Sequence, residues 1–290
     1  MADTIKILDP GVFATIQDLG RVGYREYGVP LSGVMDQTAA KLANRLVGNP
    51  AHFPVIEFTL KGGSFKVLHS ATIAITGADL KATLNEMSLE RNQSINVQAG
   101  DIVKMNYARS GVRSYLAIAG EWDIEKVMES YSTFVPGHFG GFNGQTLKGG
   151  DVISVKEPST SELKLASPNE IPYYSHKLTV ELLPGPEFEY LSKDAIELLT
   201  NTEFSIQPQS NRMGIRLASD IPLPTPNLEL KSSGVVPGVI QLPPSGQPII
   251  LMRDAQTVGG YPRIAKVREH YLDPLAQMQV GSVIRFKISN

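Results

Sequence analysis

Four stretches of this chain gather arginine, aspartate, glutamine and glycine more densely than ordinary solvent loops. They are Thr15-Ile-Gln-Asp-Leu-Gly-Arg-Val-Gly-Tyr24, running on to Gly28-Val-Pro-Leu-Ser-Gly-Val-Met-Asp36; Ser210-Asn-Arg-Met-Gly-Ile-Arg-Leu217; Ser233-Gly-Val-Val-Pro-Gly-Val-Ile-Gln-Leu-Pro-Pro244; and Asp254-Ala-Gln-Thr-Val-Gly-Gly-Tyr-Pro262. Glycine lets a backbone approach a planar ligand, while arginine grips a carboxylate through two parallel hydrogen bonds and a primary amide both donates and accepts. This is chemistry suited to a flat amide or carboxylate. A plainer reading stands beside it: Arg-x-Gly-x-Arg as a turn salt-bridged to Asp18 or Glu57, and Gly259-Gly260 as a bulge.

Other chemistries are discounted. The chain has no cysteine, hence no thiol nucleophile, disulfide, iron–sulfur cluster or thiolate zinc site. Gly140-Gly141-Phe142-Asn143-Gly144 lacks the lysine of a phosphate-binding loop, and no Gly-x-Ser-x-Gly elbow occurs. His52, His69, His138, His176 and His270 stand apart, so no metal is expected. Lys104-Met105 lacks the preceding methionine of a biotin-carrying Ala-Met-Lys-Met segment, so no covalent cofactor is expected. A balance of 27 Lys+Arg against 29 Asp+Glu, net −2, gives no support for nucleic-acid binding. The N-terminus has no apolar targeting region and no stretch approaches the ~20 apolar residues of a membrane span, which predicts a cytoplasmic protein.

The elements that would position these clusters are mostly short strands. With 290 residues, 26 glycines and 20 prolines, the chain is punctuated as many tight turns require. The pattern predicts strands at Ile5–Leu8, Val55–Thr59, Ser64–Leu68, Thr72–Thr76, Ile102–Asn106, Ser114–Ala119, Val152–Val155, Leu178–Leu182, Gly238–Leu242, Ile249–Met252, Ala265–Val267 and Val283–Ile288. Helices are expected over Asp36–Val47, over Pro186–Leu199 and, more weakly patterned, over Asp123–Glu129. Many strands and few helices predict a barrel-like or sandwich fold.

Two halves echo one another. Pro10-Gly11, Ile16-Gln17, Arg21-Val-Gly-Tyr-Arg25 and Gly28-Val-Pro30 return in order as Pro184-Gly185, Ile206-Gln207, Arg212-Met-Gly-Ile-Arg216 and Gly234-Val-Val-Pro237. The Pro/Ser/Thr-rich stretch from Glu157 to Lys177 reads as a connector. The expected organisation is residues 1–158, a linker over 159–177 and residues 178–290, with a seam that need not follow the sequence.

At this level of detail the chain resembles the biotin-dependent carboxyltransferase / allophanate hydrolase subunit 2 family, which includes the C-type subunit of 5-oxoprolinase and KipA. The resemblance rests on Thr15-Ile-Gln-Asp-Leu-Gly-Arg-x-Gly-Tyr24, Ala43-Asn-Arg-Leu-Val-Gly-Asn49, Thr76-Gly-Ala-Asp79, Ser210-Asn-Arg-Met-Gly-x-Arg-Leu217 and Gly259-Gly-Tyr-Pro-x-Ile264, and spans roughly Ile5 to Phe286. It implies a mainly β fold of two cyclophilin-like β-barrel subdomains related by internal duplication, with the N-terminal motif packing on the C-terminal half.

The resemblance implies function too. Stand-alone members act with a KipI-like B-type subunit and a LamB/YcsF-like A-type subunit to open 5-oxoproline to glutamate with ATP, and would be inactive alone. The alternatives are carboxyl transfer from carboxybiotin on another chain, and a KipA-like antagonist of a KipI-type kinase inhibitor. On this view Asp254 acts as base and Arg212 binds a carboxylate or phosphate. Asn211, Arg216, Gln241, Gln256, Gly259, Gly260 and Tyr261 contact the substrate. Asp18, Arg21 and Tyr24 supply a second wall or a partner-facing surface. Many relatives carry Glu, Arg and Arg where this chain has Ser233, Ala255 and Gln145, which leaves the substrate open.

Overall fold

Runs of β-branched and aliphatic residues bounded by Gly, Pro and Asn favour strands. The computed structural model describes residues 1–226, 228 and 230–289, and places mostly strands with three α-helices among them. Contacts divide the chain into two units, Met1–Arg21 with Ser32–Tyr174, and Val22–Leu31 with Ser175–Asn290.

The first unit contains β1 (Ala2–Asp9), β2 (Phe13–Gln17), α1 (Gln37–Leu46), β3 (Val55–Thr59), β4 (Ser64–Val67) and β5 (Ala71–Asp79). It continues with β6 (Thr83–Leu84), β7 (Met87–Ser88), β8 (Ser94–Val97), β9 (Ile102–Lys104), β10 (Ser110–Ile118) and β11 (Val152–Val155). They pair as a six-stranded sheet, β11-β1-β4-β9-β6-β7, and a five-stranded one, β2-β3-β10-β5-β8. Ile5, Ile7, Phe65 and Val67 of the first sheet share a core with Ile16, Ile56, Phe58, Ile73 and Leu116 of the second. The other face of the five-stranded sheet, at Ala74, Tyr115 and Ala117, is covered by Ala39, Leu42, Ala43 and Leu46 of α1. Strands β5 and β10 are thus covered on both faces, which is why they are apolar without alternation. Helix α1 starts where the sequence predicts: Asp36 accepts from the Ala39 N–H at 2.9 Å, and its other oxygen accepts from the Tyr174 hydroxyl at 2.9 Å.

The second unit contains β12 (Lys177–Pro184), α2 (Lys193–Asn201), β13 (Phe204–Ile206), β14 (Gly214–Ala218), β15 (Ser233–Gly234) and β16 (Val239–Gln241). It ends with β17 (Ile249–Leu251), β18 (Val258–Gly259), β19 (Arg263–Val267), α3 (Leu272–Ala276) and β20 (Val283–Ile288). Seven strands close a barrel, β12-β19-β16-β17-β14-β13-β20. The seam is a parallel pairing of β12 with β20, from Lys177 opposite Val283 to Leu182 opposite Ile288. Alternate residues such as Ile215, Leu217, Ile240, Ile250, Ile284 and Phe286 are buried, and the Phe204 and Phe286 rings meet at 5.4 Å. Strands β15 and β18 form a separate short ribbon.

The chain is mainly β with few helices, and the second unit closes as a barrel. In the first unit the described strands fall into two sheets sharing a core. Each unit opens on a strand running into Pro-Gly, but β1 meets the unit's last strand β11 antiparallel, whereas β12 meets β20 parallel. Residues 159–166, expected within a linker, hydrogen-bond along the edge of the five-stranded sheet instead: Ser94 N–H to the Lys164 carbonyl at 2.8 Å, and Ala166 N–H to that of Asn92 at 2.9 Å. They cap an otherwise open strand edge.

One helix expectation fails and another is met only in its second half. Over Asp123–Glu129 the chain turns, with Met128 and Glu129 at φ 52° and 59° and a bridge between Val127 and Ser130. Ser130 Oγ and the Tyr131 N–H are drawn to the Asp18 carboxylate, at 2.6 and 2.7 Å, and this competes with helical pairing. After Pro186 the chain makes a single 3-10 turn, Phe188–Tyr190, and α2 begins only after Ser192, whose Oγ accepts from the Ala195 N–H at 3.1 Å. No helix among the described residues is long and apolar enough to cross a membrane.

Replacing Asp36 with Ala removes both the cap of α1 and the Tyr174 contact. It should destabilise the first unit by at least about 1 kcal/mol in denaturant unfolding, with α1-covered positions most affected in amide exchange.

Candidate functional site

Antiparallel register sets out the outer face of the barrel. Arg216 lies opposite Ile249, which lies opposite Gln241. Their neighbours Ile215, Ile250 and Ile240 are buried, so by alternation Arg216, Ile249 and Gln241 form one outward row across β14, β17 and β16. Chain flanking these strands, at Val235 and from Ala255 to Gly259, folds over part of this face. Val235, Val239, Leu251 and Ala255 make a small apolar cluster there, with Ile249 at its margin. Gln241 is almost fully buried, and its Oε1 accepts from Gln256 Nε2 at 3.1 Å. Its own Nε2 is a buried donor without a partner. A methyl group on Gly259 would fall 2.4 Å from that nitrogen, so a larger residue there would require the Gln241 amide to shift.

Arg212 and Asp254 clamp the chain entering β14 to the chain leaving β17. The guanidinium grips the carboxylate twice, Nε to Oδ2 at 2.7 Å and Nη2 to Oδ1 at 2.9 Å, with side chains only 8% and 6% exposed. The Asp254 N–H also donates to the Arg212 carbonyl at 2.9 Å. Two parallel charge-assisted bonds of this kind offset the cost of burying both charges.

The β15–β18 ribbon is held by two further arginines. Arg263 Nη1 donates to the Gly234 carbonyl at 3.1 Å, and Arg25 Nη2 donates to the next one, that of Val235. Arg263 is neutralised by Glu187, through Nε at 2.9 Å, Nη2 at 2.6 Å and its backbone N–H at 2.8 Å. Those hydrogen bonds hold the Glu187 carboxyl below its ordinary range and raise Arg263 above its own. Burial lowers Arg25 from the usual guanidinium value. Beside the ribbon lies an open recess of about 590 Å³.

The structure therefore brings together Gln241, Gln256 and Gly259, puts Arg216 in their row but exposed, and closes Arg212 on Asp254. Gly260 and Tyr261 follow the ribbon and are exposed, Tyr261 by 47%. Asn211 sits in an exposed turn, its Oδ1 accepting from the Met213 N–H at 2.8 Å. Asp18 and Arg21 belong to the first unit and are buried. Asp18 accepts from Gly20 N–H, Ser130 Oγ and Tyr131 N–H, while Arg21 donates to the Ser132 carbonyl and lies 4.8 Å over the Phe139 ring. Tyr24 belongs to the second unit, where its carbonyl accepts from Tyr27 and Val29. Sequence reading passed over Arg25, visible only as the second arginine of the first Arg-x-Gly-x-Arg. It also passed over Glu187 with Arg263, a pair 76 positions apart that leaves no local signal.

A closed seven-stranded barrel in one unit, with two β-sheets on a common core in the other, makes this a two-unit, mainly β protein. The family model "Carboxyltransferase domain, subdomain A and B" matches residues 27–288, and the chain belongs to that family. It is 36% identical over 282 residues to the C subunit of 5-oxoprolinase from Escherichia coli, covering 97% of this chain and 90% of that one. The protein of the same name in Haemophilus influenzae is 36% identical over 286 residues, covering 98% and 90%. Among solved structures, the Kluyveromyces lactis urea carboxylase superposes with a TM-score of 0.92 at 30% identity, over 99% of this chain and 27% of that chain. TTHA0988 gives 0.88 at 30% identity, over 98% and 55%.

Two outcomes follow from the buried pairs. Asp254→Asn leaves Arg212 with a buried charge and should cost about 3–5 kcal/mol in denaturant unfolding of the second unit, whereas the joint change Arg212→Met with Asp254→Leu should cost less. Glu187, held low, contributes stability that is present above the ordinary carboxylate range and is lost as pH falls through its lowered folded value. Glu187→Gln should therefore lower second-unit stability at neutral pH and flatten its decline below about pH 4.5, read from thermal melts across pH.

Proposed function

We propose that this chain is the C-type subunit of an ATP-dependent 5-oxoprolinase, working with a KipI-like B-type subunit and a LamB/YcsF-like A-type subunit. The observation that carries the reading is the near end-to-end match to two bacterial proteins named as the C subunit of 5-oxoprolinase, over at least 97% of this chain and 90% of each relative.

The reaction breaks the ring amide with water: the carbonyl carbon becomes a carboxylate and the ring nitrogen leaves as an amine. An enzyme must orient the amide and stabilise charge on its oxygen. Half-buried Gln256 suits this, since a primary amide both donates and accepts and its hydrogen bond to the buried Gln241 Oε1 fixes its orientation. We assign Asp254, with both oxygens held by Arg212, to anchoring the loop that carries Gln256 and Gly259, in place of the base role expected from sequence.

ATP is assigned to a partner. The glycine-rich segment at Gly140–Gly144 is closed by its own neighbours: a methyl on Gly140 would fall 2.1 Å from the Ser132 carbonyl oxygen, and one on Gly141 1.9 Å from Thr133 Oγ1. These glycines serve internal packing and do not fit a phosphate cradle.

A second reading is favoured by the likeness to urea carboxylase. The same amide pair could present a ureido group to carboxybiotin carried by another chain. The experiment is reconstitution. The three-subunit complex should release glutamate from 5-oxoproline only with ATP, with no turnover by this chain alone and none when it is omitted. A fully assembled complex that makes no glutamate overturns the reading, and carboxyl transfer from free carboxybiotin to urea in the same preparation replaces it.

A further inference from the structure

Arg25 and Arg263 do the same structural work, each holding one carbonyl of the β15–β18 ribbon, yet only one is neutralised. Arg263 has Glu187. Arg25 has no carboxylate in ion-pair range among the described residues, and its Nη1 is a buried donor with no hydrogen-bond partner. Buried donors in native structures are almost always paired, and a cationic one more so. Arg25 also lines the 590 Å³ recess, where Val235, Val236 and Val258 supply apolar surface and Glu26 and Thr257 supply polar groups. The volume falls within the ~300–1,000 Å³ of small-molecule sites.

We infer that this recess is a subsite for a small monocarboxylate with an apolar body, its carboxylate taken by Arg25 and its ring by the three valines. One guanidinium matches one carboxylate, and Glu26 on the same wall repels any second negative charge, which selects against dicarboxylates and phosphates. The identification of that monoanion as the carboxylate of 5-oxoproline rests on the reading given under Proposed function. The subsite itself does not.

The test uses the full chain with three probes followed by calorimetry or ligand-observed NMR: cyclopentanecarboxylate, 2-pyrrolidinone and cyclopentane-1,3-dicarboxylate. Cyclopentanecarboxylate should bind the wild type, lose about tenfold or more in affinity with Arg25→Gln, and fall between the two with Arg25→Lys. The uncharged lactam should not respond to Arg25, and the dicarboxylate should gain most from Glu26→Gln. Glu26 is exposed, so its variant serves as the readout if Arg25→Gln loosens the ribbon. No binding of cyclopentanecarboxylate to the wild type, equal binding to Arg25→Gln in a folded protein, or indifference to Glu26→Gln overturns the subsite. Arg25-dependent binding alongside a complex that releases no glutamate leaves the subsite standing and removes the 5-oxoprolinase reading.

Discussion

A carboxylate taken out of water must find donors for its lone pairs or surrender its charge, and three such groups organise the loops of this protein. Asp18 is met by hydroxyls and backbone N–H groups, Asp254 by a two-pronged guanidinium, and Glu187 by a guanidinium and a backbone N–H. Each arrangement tolerates little displacement, because moving a partner away leaves a buried charge exposed to an apolar surrounding. The glycine-rich segments that look most like mobile ligand loops in the sequence are therefore tied at defined points. Asp254 fixes where the chain leaves β17, and Glu187, through Arg263, fixes Gly234 in the ribbon.

Barrel closure adds a second constraint. The ring interior is filled by alternating Ile, Leu and Phe side chains, so recognition has to occur outside it. The sequence meets this by placing Arg216 and Gln241 at outward positions of β14 and β16, on either side of Ile249 on β17, and passing a covering segment over part of that row. Gly259 lies against the Gln241 amide there. The amide pair is thus sheltered by chain from the same unit.

Much of the architecture was legible in the residues. Val152–Val155 and Val283–Ile288 are read at their observed bounds because β-branched residues are concentrated there and Gly-Asp or Gly-Ser precedes them. The start of α1 followed from Asp36. Strands β2, β13 and β14 escaped because Thr15, Gln17, Ser205 and Arg216 break the apolar pattern, and only partner strands distant in sequence define them. The candidate site was legible in residue type but less so in duty: Asp254 and Arg212 stood out as reactive groups, and only their mutual distance reveals that each satisfies the other. Arg25 was hidden for the converse reason. An arginine without a partner looks in sequence like one that has one.

The parallel seam between β12 and β20 has a consequence for biosynthesis. The ring joins strands more than a hundred residues apart, so it cannot close until residue 288 has emerged from the ribosome. Until then β12 and β13 each lack a neighbour, and their bare backbone edges are available to other nascent chains. Such long-separation pairing folds slowly. This unit is accordingly completed after its synthesis, and its yield in a cell depends on what shields those edges in the interval.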